Sequence, residues 1–362
     1  MSEHSDFSST AASAPSSAPL EAGGARLLLE CRPEHLYAAI YDPLPFPHVG
    51  TQQEVAFDLG ITALGGDLEL TGLVFRGFRE HQLLFEQRWP HPVVLRHSGE
   101  ADLRIAANTG LALRALHFTL HAHDQLGFVE VLAIALTPAG ENVQARIQIP
   151  VAHHQQQTDV HFPLQGAWWA VQAGDWSDLH KQEVFSQPFA LDFVKLNADN
   201  RFFSGDGHAL TDHASWDQPV FAAAGGKVAF VQFDMPDMAP GVAPDPRIFR
   251  DDPRRLLGNA VAISHGNGEF TYYAHLQQAS LTVNEGEMIR RGAPIGRVGN
   301  SGQSPGPHLH LHLMQGPNLF IDQGLPLMLS HFWAGGQFFT RPTYIPVRMI
   351  VHGDANRSEL GV

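Results

Sequence analysis

The chain has 362 residues, 44% of them apolar and 17% charged, a globular composition with length enough for two cores. A formal net charge of −14 and the lack of any basic run exclude a nucleic-acid partner, because nothing could neutralise a phosphate backbone. The single cysteine, Cys31, excludes an intrachain disulfide framework and a zinc–cysteine site, and no apolar run is long enough to predict a membrane-spanning helix. With 34 glycines and 25 prolines, short strands and tight turns are favoured over long helices. Histidine stands out at 22 residues, almost as many as lysine and arginine together (23).

The first residues, "MSEHSDFSSTAASAPSSAPLEAGG", have neither the basic nor the apolar region of a conventional signal peptide. Their Ser/Ala/Pro bias predicts a disordered tail over 1–24. From 25 to 151, "EVAFDLGI", "DLELTGLVF", "LALRALHFTLHA" and "VQARIQIPV" alternate apolar and polar positions between turn residues. No helical stretch is expected between them, which predicts an antiparallel β-sandwich. His117, His121 and His123 in "HFTLHAH" are expected on the polar face of an exposed strand. "AHHQQQTD", 152–159, is polar and unpatterned and is expected to be the linker.

The second domain, expected over 160–345 with a tail at 346–362, is again rich in strands. "PVFAAAGGKVAFVQF" predicts a strand, a glycine turn and a second strand. "NAVAISHGNGEFTYYAHL" predicts a hairpin whose Asn267-Gly268 pair suits a primed turn. "LTVNEGEMIRRGAPIGRVG" carries spaced glycines suited to a tightly cornered sheet. "MAPGVAPDPRIFRDDPRRLLG" interrupts this order and is expected to be an insertion beside the site.

The chemistry concentrates in "GNSGQSPGPHLHLHLMQG". On a strand, His308, His310 and His312 share one face, successive pairs about 6.6 Å apart, while Leu309, Leu311 and Leu313 supply the other. One imidazole can then bind a metal while its neighbour reaches the water or substrate beside it. No H-E-x-x-H occurs, so the helical arrangement with a glutamate base is excluded and a second histidine becomes the candidate base. His275, at the end of the apolar "YYAHL", is that candidate.

"PVFAAAGGKV", "YYAHL", "VNEGEMIRRGAPIGRVGNSGQS" and "PHLHLHL", in that order, resemble the lysostaphin/LytM-type zinc metallopeptidases, over Phe162 to Met328. The resemblance implies a mostly β chain in which a lysostaphin-type peptidase domain follows the sandwich. It implies a Zn2+-dependent endopeptidase acting on peptidoglycan peptides. It further implies that His310 binds zinc, and that His308 and His275 orient or deprotonate the attacking water and stabilise the oxyanion. His312 has no required role in the pattern. Such a substrate places the protein in the periplasm or cell envelope, at odds with its lack of a conventional signal peptide.

The family's upstream H-x-x-x-D is matched in spacing by His208 and Asp212, in the polar loop "SGDGHALTDHASWD". The rival aspartate is Asp192 in "FALDFVKL", where burial of a carboxylate demands compensation that a metal would give. His180 lies close upstream, and the surrounding run resembles a branch of the family that pairs a loop histidine with a strand aspartate. His180, Asp192 and His310 are therefore the expected metal ligands.

Three other readings stand beside this one. An inactive relative that binds wall peptides or regulates another hydrolase would tolerate loss of a ligand. A lipoyl- or biotinyl-carrier domain would need a displayed lysine between methionines, which is missing. A two-histidine, one-carboxylate iron oxygenase would need an early H-x-D or H-x-E, and none is well placed.

Overall fold

The computed structural model describes residues 21–41, 50–172, 186–319 and 321–353. The chain is mostly β, with antiparallel pairing predominating. Apolar residues gather into one core drawn from Ala25 to Val151 and another drawn from Val160 to Val351.

The first core lies in two sheets. In one, Gln52–Leu64 pairs with Arg26–Arg32, Ala39–Tyr41 and Gly110–His121. The other runs Leu36–Tyr37, Asn142–Ala152, Phe128–Leu136, Leu68–Arg79, Gln82–Pro90, with Arg104–Ile105 also paired to Leu68–Arg79. Alternating burial, as along Arg26–Arg32, sends every second side chain inward. The expectation of no helix here is corrected by His91–Ser98, which closes on Gly99 at φ 69°. It has only eight residues and buries only Val94, too little for a helical period to show. Gln82–Pro90 also escapes pattern reading, because both faces of this edge strand are largely exposed.

The second core is organised by a large sheet. Its order runs Met288–Ile289, Gly226–Gln232, Asn259–Ser264, Phe270–Leu276, Leu309–Met314, Leu191–Lys195, Ala167–Gln172, Ile350–His352, Phe332–Ala334, Gln337–Phe339. The histidine-bearing strand Leu309–Met314 is thus central, and all six of its residues are buried. Leu309, Leu311 and Leu313 enter the main core, while Met314, on the histidine face, packs with Tyr272 and Ala274.

Several local expectations change. Asn259–Ser264 and Phe270–Leu276 do form a hairpin, but the turn is a five-residue loop closed by His265 N–H donating to Glu269 O. Positive φ falls on Gly266 and Gly268, not on Asn267, so the turn is not the two-residue primed type. Pro219–Phe221 leaves the large sheet to pair with Pro294–Arg297. Ile350–His352 pairs with Ala167–Trp169 and Val351 is fully buried, so the expected tail at 346–362 begins as part of the core. Residues 354–362 and 1–20 lie outside the described residues, whereas Ala22 and Ala25 exchange backbone hydrogen bonds.

The polar stretch after Ala152 is pinned rather than loose. Glu269 accepts from His154 Nε2 (2.9 Å), Gln157 N (2.8 Å) and Thr158 N (2.7 Å). Gln156 exchanges hydrogen bonds with both backbone groups of Met328. The two cores also touch where Ala39 and Ala56 pack with Phe189, and where Gln323 Nε2 donates to His35 O. Among the described residues no helix is long and apolar enough to cross a membrane.

Candidate active site

His310 occupies the middle of a strand flanked on both sides, and strand register decides its neighbours. It pairs with Asp192 on one side and Ala274 on the other. Antiparallel partners project to the same face, so the Asp192 carboxylate meets the imidazole: Oδ1 lies 2.9 Å from His310 Nδ1. Asp192 is 3% exposed and His310 0%. Two residues earlier, His308 directs Nε2 to 3.6 Å from Asp192 Oδ2.

His310 Nε2 lies 2.8 Å from His312 Nδ1, and the His312 ring stacks on Tyr272 with centroids 5.1 Å apart. His312 is therefore a buried neighbour that fixes the His310 ring, a role the sequence pattern did not require. In the tautomer that donates Nε2–H to His312, the His310 Nδ1 lone pair converges on the carboxylate. Burial, with the nearby His310, holds His312 well below the ordinary imidazole range.

His275 comes from the end of Phe270–Leu276 in a left-handed conformation, φ 58°. The turn brings its ring to 4.7 Å from that of His308 and 5.8 Å from that of His310. Its Nδ1–H donates to Ser301 O at 2.8 Å, which leaves Nε2 with the lone pair. His308 is set in the same way: its Nδ1–H donates to Gly306 O at 2.9 Å. Ser304 Oγ, also beside that nitrogen, donates to Asn300 Oδ1. Burial first, and then His308 and His310, push His275 well below its usual value, so it rests neutral.

The loop before His308 is braced by backbone approaches that no side chain could share. A Cβ on Gly302, at φ 76°, would lie 2.3 Å from Gly258 N, and one on Gly299 would lie 2.4 Å from Gln277 N. Asp237 ties this loop to the segment after His275, accepting from Asn300 N (2.7 Å) and Gln278 N (2.8 Å). Burial raises the Asp237 carboxyl despite those bonds. The stretch from Met238 to Gly258 packs here as expected, with Met238 N–H donating to Asn300 O and Gly241 N–H to Pro305 O.

A cleft of about 250 Å3 opens beside Asp192 and His308, walled by Phe202, Phe203, Val171 and Pro305. His213 also lines it and donates to Gly207 O. Phe202, Phe203 and His213 were not legible as site residues, because they lie outside the strands of the large sheet and reach the cleft only through the way that sheet is packed.

Of the expected residues, Asp192, His275, His308 and His310 come together. His180 lies outside the described residues. His208 is exposed, and Asp212 accepts from Ala209 N within its own turn. Neither has a hydrogen bond or ion pair to the cluster among the described residues, and of the two candidate aspartates it is Asp192 that meets His310.

Residues 207–320 match the model of peptidase family M23. The chain therefore carries an M23 domain, of the lysostaphin/LytM type, in a metallopeptidase family. A 57-residue stretch is 46% identical to peptidoglycan DD-endopeptidase ShyA of Vibrio cholerae serotype O1, covering 16% of this chain and 13% of that protein. Over 53 residues it is 55% identical to DD-carboxypeptidase/endopeptidase Mpg of Neisseria meningitidis serogroup B, covering 15% of this chain and 12% of the relative. The matches thus span about an eighth of these curated relatives. Among solved structures, the catalytic domain of lysostaphin from Staphylococcus simulans aligns at 16% identity and TM-score 0.24, over 46% of this chain and 88% of its own.

Proposed function

We propose that this protein is a zinc-dependent endopeptidase that hydrolyses peptide bonds in peptidoglycan cross-links or stem peptides. The observation that carries the reading is the convergence of Asp192 Oδ1 and His310 Nδ1 at 2.9 Å, within a buried pocket that also holds His308 and His275. Two donors about a tetrahedral zinc lie roughly 3.3 Å apart, so a shift of a few tenths of an ångström suits the pair to that ion. A buried carboxylate facing imidazoles is also a donor set of the right chemistry. Asp192, His310 and His180 would hold zinc, which when bound lowers the pKa of water and polarises a scissile carbonyl.

The chain's own histidines move the proton. His308 and His275 each spend Nδ1–H on a backbone carbonyl, so each presents Nε2 as an acceptor. His308 lies nearer the carboxylate and lines the cleft, and it takes the proton of the attacking water. The histidine that has gained a proton becomes a donor to the developing oxyanion and then to the leaving amine. The walls of Phe202 and Phe203 bind apolar parts of the peptide and exclude water.

The test is digestion of purified peptidoglycan by the full chain with zinc, with a chelator, and with zinc restored, reading newly released amino ends. The expected result is release that the chelator abolishes and zinc restores. No release by the zinc-loaded protein would overturn the proposal and favour a binding role.

A further inference from the structure

Outside this site, the described residues bring Asp159, His161 and His331 together, with one donor atom of each within 4.8 Å of the others. Backbone pairing builds the cluster: Ser330 N–H donates to Val160 O and Phe162 N–H to Ser330 O, both at 2.9 Å. The His161 and His331 rings are stacked, centroids 3.6 Å apart and 12° from parallel. Asp159 Oδ2 lies 2.9 Å from His161 Nε2. Ser330 Oγ donates to Asp159 Oδ1 at 2.5 Å and lies 3.0 Å from His331 Nδ1. With that hydroxyl hydrogen committed to the carboxylate, His331 Nδ1–H donates to Oγ and Nε2 keeps the lone pair. Metal-binding histidines are held in this way, with the second ring nitrogen anchored by a polar neighbour.

His331 also has φ 58°, a conformation that costs energy for a non-glycine residue and that places its ring over His161. The cluster borders a cleft of about 290 Å3 lined by Phe162, Leu164 and Phe221. In the sheet, the strand after His331 is four places from Leu309–Met314, on the order of 19 Å at about 4.8 Å per strand.

We propose that Asp159, His161 and His331 form a second site for a divalent transition metal, separate from the peptidase site. Turning one imidazole about its Cβ–Cγ bond opens the stack and brings both rings' nitrogens and Asp159 Oδ2 on to one ion. Two imidazoles and a carboxylate select zinc, nickel or copper over magnesium or calcium. Arg291, 3.3 Å from Asp159 Oδ2 and half exposed, is the charge that the ion would displace.

The experiment strips the full chain of metal, reloads it with zinc, and measures bound equivalents after dialysis. Wild type is expected to hold one equivalent more than His161→Gln/His331→Asn, asparagine being chosen because it tolerates a left-handed backbone. Peptidoglycan hydrolysis, if the proposed function holds, is unchanged in that variant. Arg291→Gln is expected to tighten the extra equivalent. Equal stoichiometry in wild type and the double variant overturns the proposal. A second measurement needs no variant: substoichiometric Ni2+ should broaden the imidazole resonances of His161 and His331, and sharp signals at saturating Ni2+ would equally overturn it.

Discussion

Two segments of this protein set three histidines at positions of one strand face, and they have opposite fates. In Gly110–His121 and the turn after it, His117, His121 and His123 are exposed. In the run from His308 to His312 every imidazole is buried. Both are strand patterns of histidine and apolar residues, so alternation alone does not separate a solvated face from a site. What separates them is the neighbour on each side. Leu309–Met314 lies between Phe270–Leu276 and Leu191–Lys195, and the second of these delivers an aspartate in register with His310. Gly110–His121 pairs, among the described residues, with Gln52–Leu64 alone, and its histidine face remains in water.

The largest expected effect would break the comparison outright. His308→Ala and His310→Ala should each reduce peptidoglycan hydrolysis by about 10²–10⁴-fold, whereas His117→Ala should leave it unchanged. Only His310→Ala should lose the peptidase-site equivalent of zinc after dialysis. Equal metal content in His308→Ala and His310→Ala would refute the division of roles between them.

Asp192→Asn sharpens the choice of carboxylate. It should abolish zinc retention at the peptidase site, while Asp212→Asn, altered in a turn where that carboxylate accepts from Ala209 N, should keep one tightly held ion there. The reverse pattern would return the site to the literally spaced pair.

A smaller effect is expected at His312, the buried member with no direct place in the reaction. His312→Phe keeps an aromatic ring on Tyr272 but removes the partner of His310 Nε2. Zinc affinity should weaken about 10–100-fold, as when an outer hydrogen-bond partner of a ligand is lost. Competition with a chelating dye would measure it.

The least dramatic test concerns Glu269, which holds the segment after the sandwich. Burial opposes its ionisation, yet hydrogen bonds from His154, Thr158 and Gln157 outweigh it and hold the carboxyl at about 2. The folded value is depressed, so its stabilisation is fully present above the unfolded value near 4.3 and is lost as pH falls towards about 2. Glu269→Gln should lower stability at pH 7 by about 1–3 kcal/mol and flatten the decline between about pH 4.3 and 2. Denaturant melts across that range would show an unchanged acid slope if the carboxylate contributes nothing.

Periodicity and residue chemistry determined much of this protein. The alternating segments of the first domain, the hairpin carrying His275, and the suspicion attached to Asp192 all follow from local rules, since a carboxylate in an apolar strand demands a partner. Local rules fail where a residue's meaning depends on distant chain. The five-residue turn at Asn267 and the edge strand Gln82–Pro90 leave little periodic signal. His213 and Phe203 gain significance only because the sheet brings their segment to the cleft, and Asp237 only because it joins the loop before His308 to the segment after His275. His312 shows the limit most plainly: the sequence put it in line with His308 and His310, but whether it met water or Tyr272 was decided by which strands flank it. Side-chain direction is a local property of the backbone, whereas burial and partnership belong to the packed sheet.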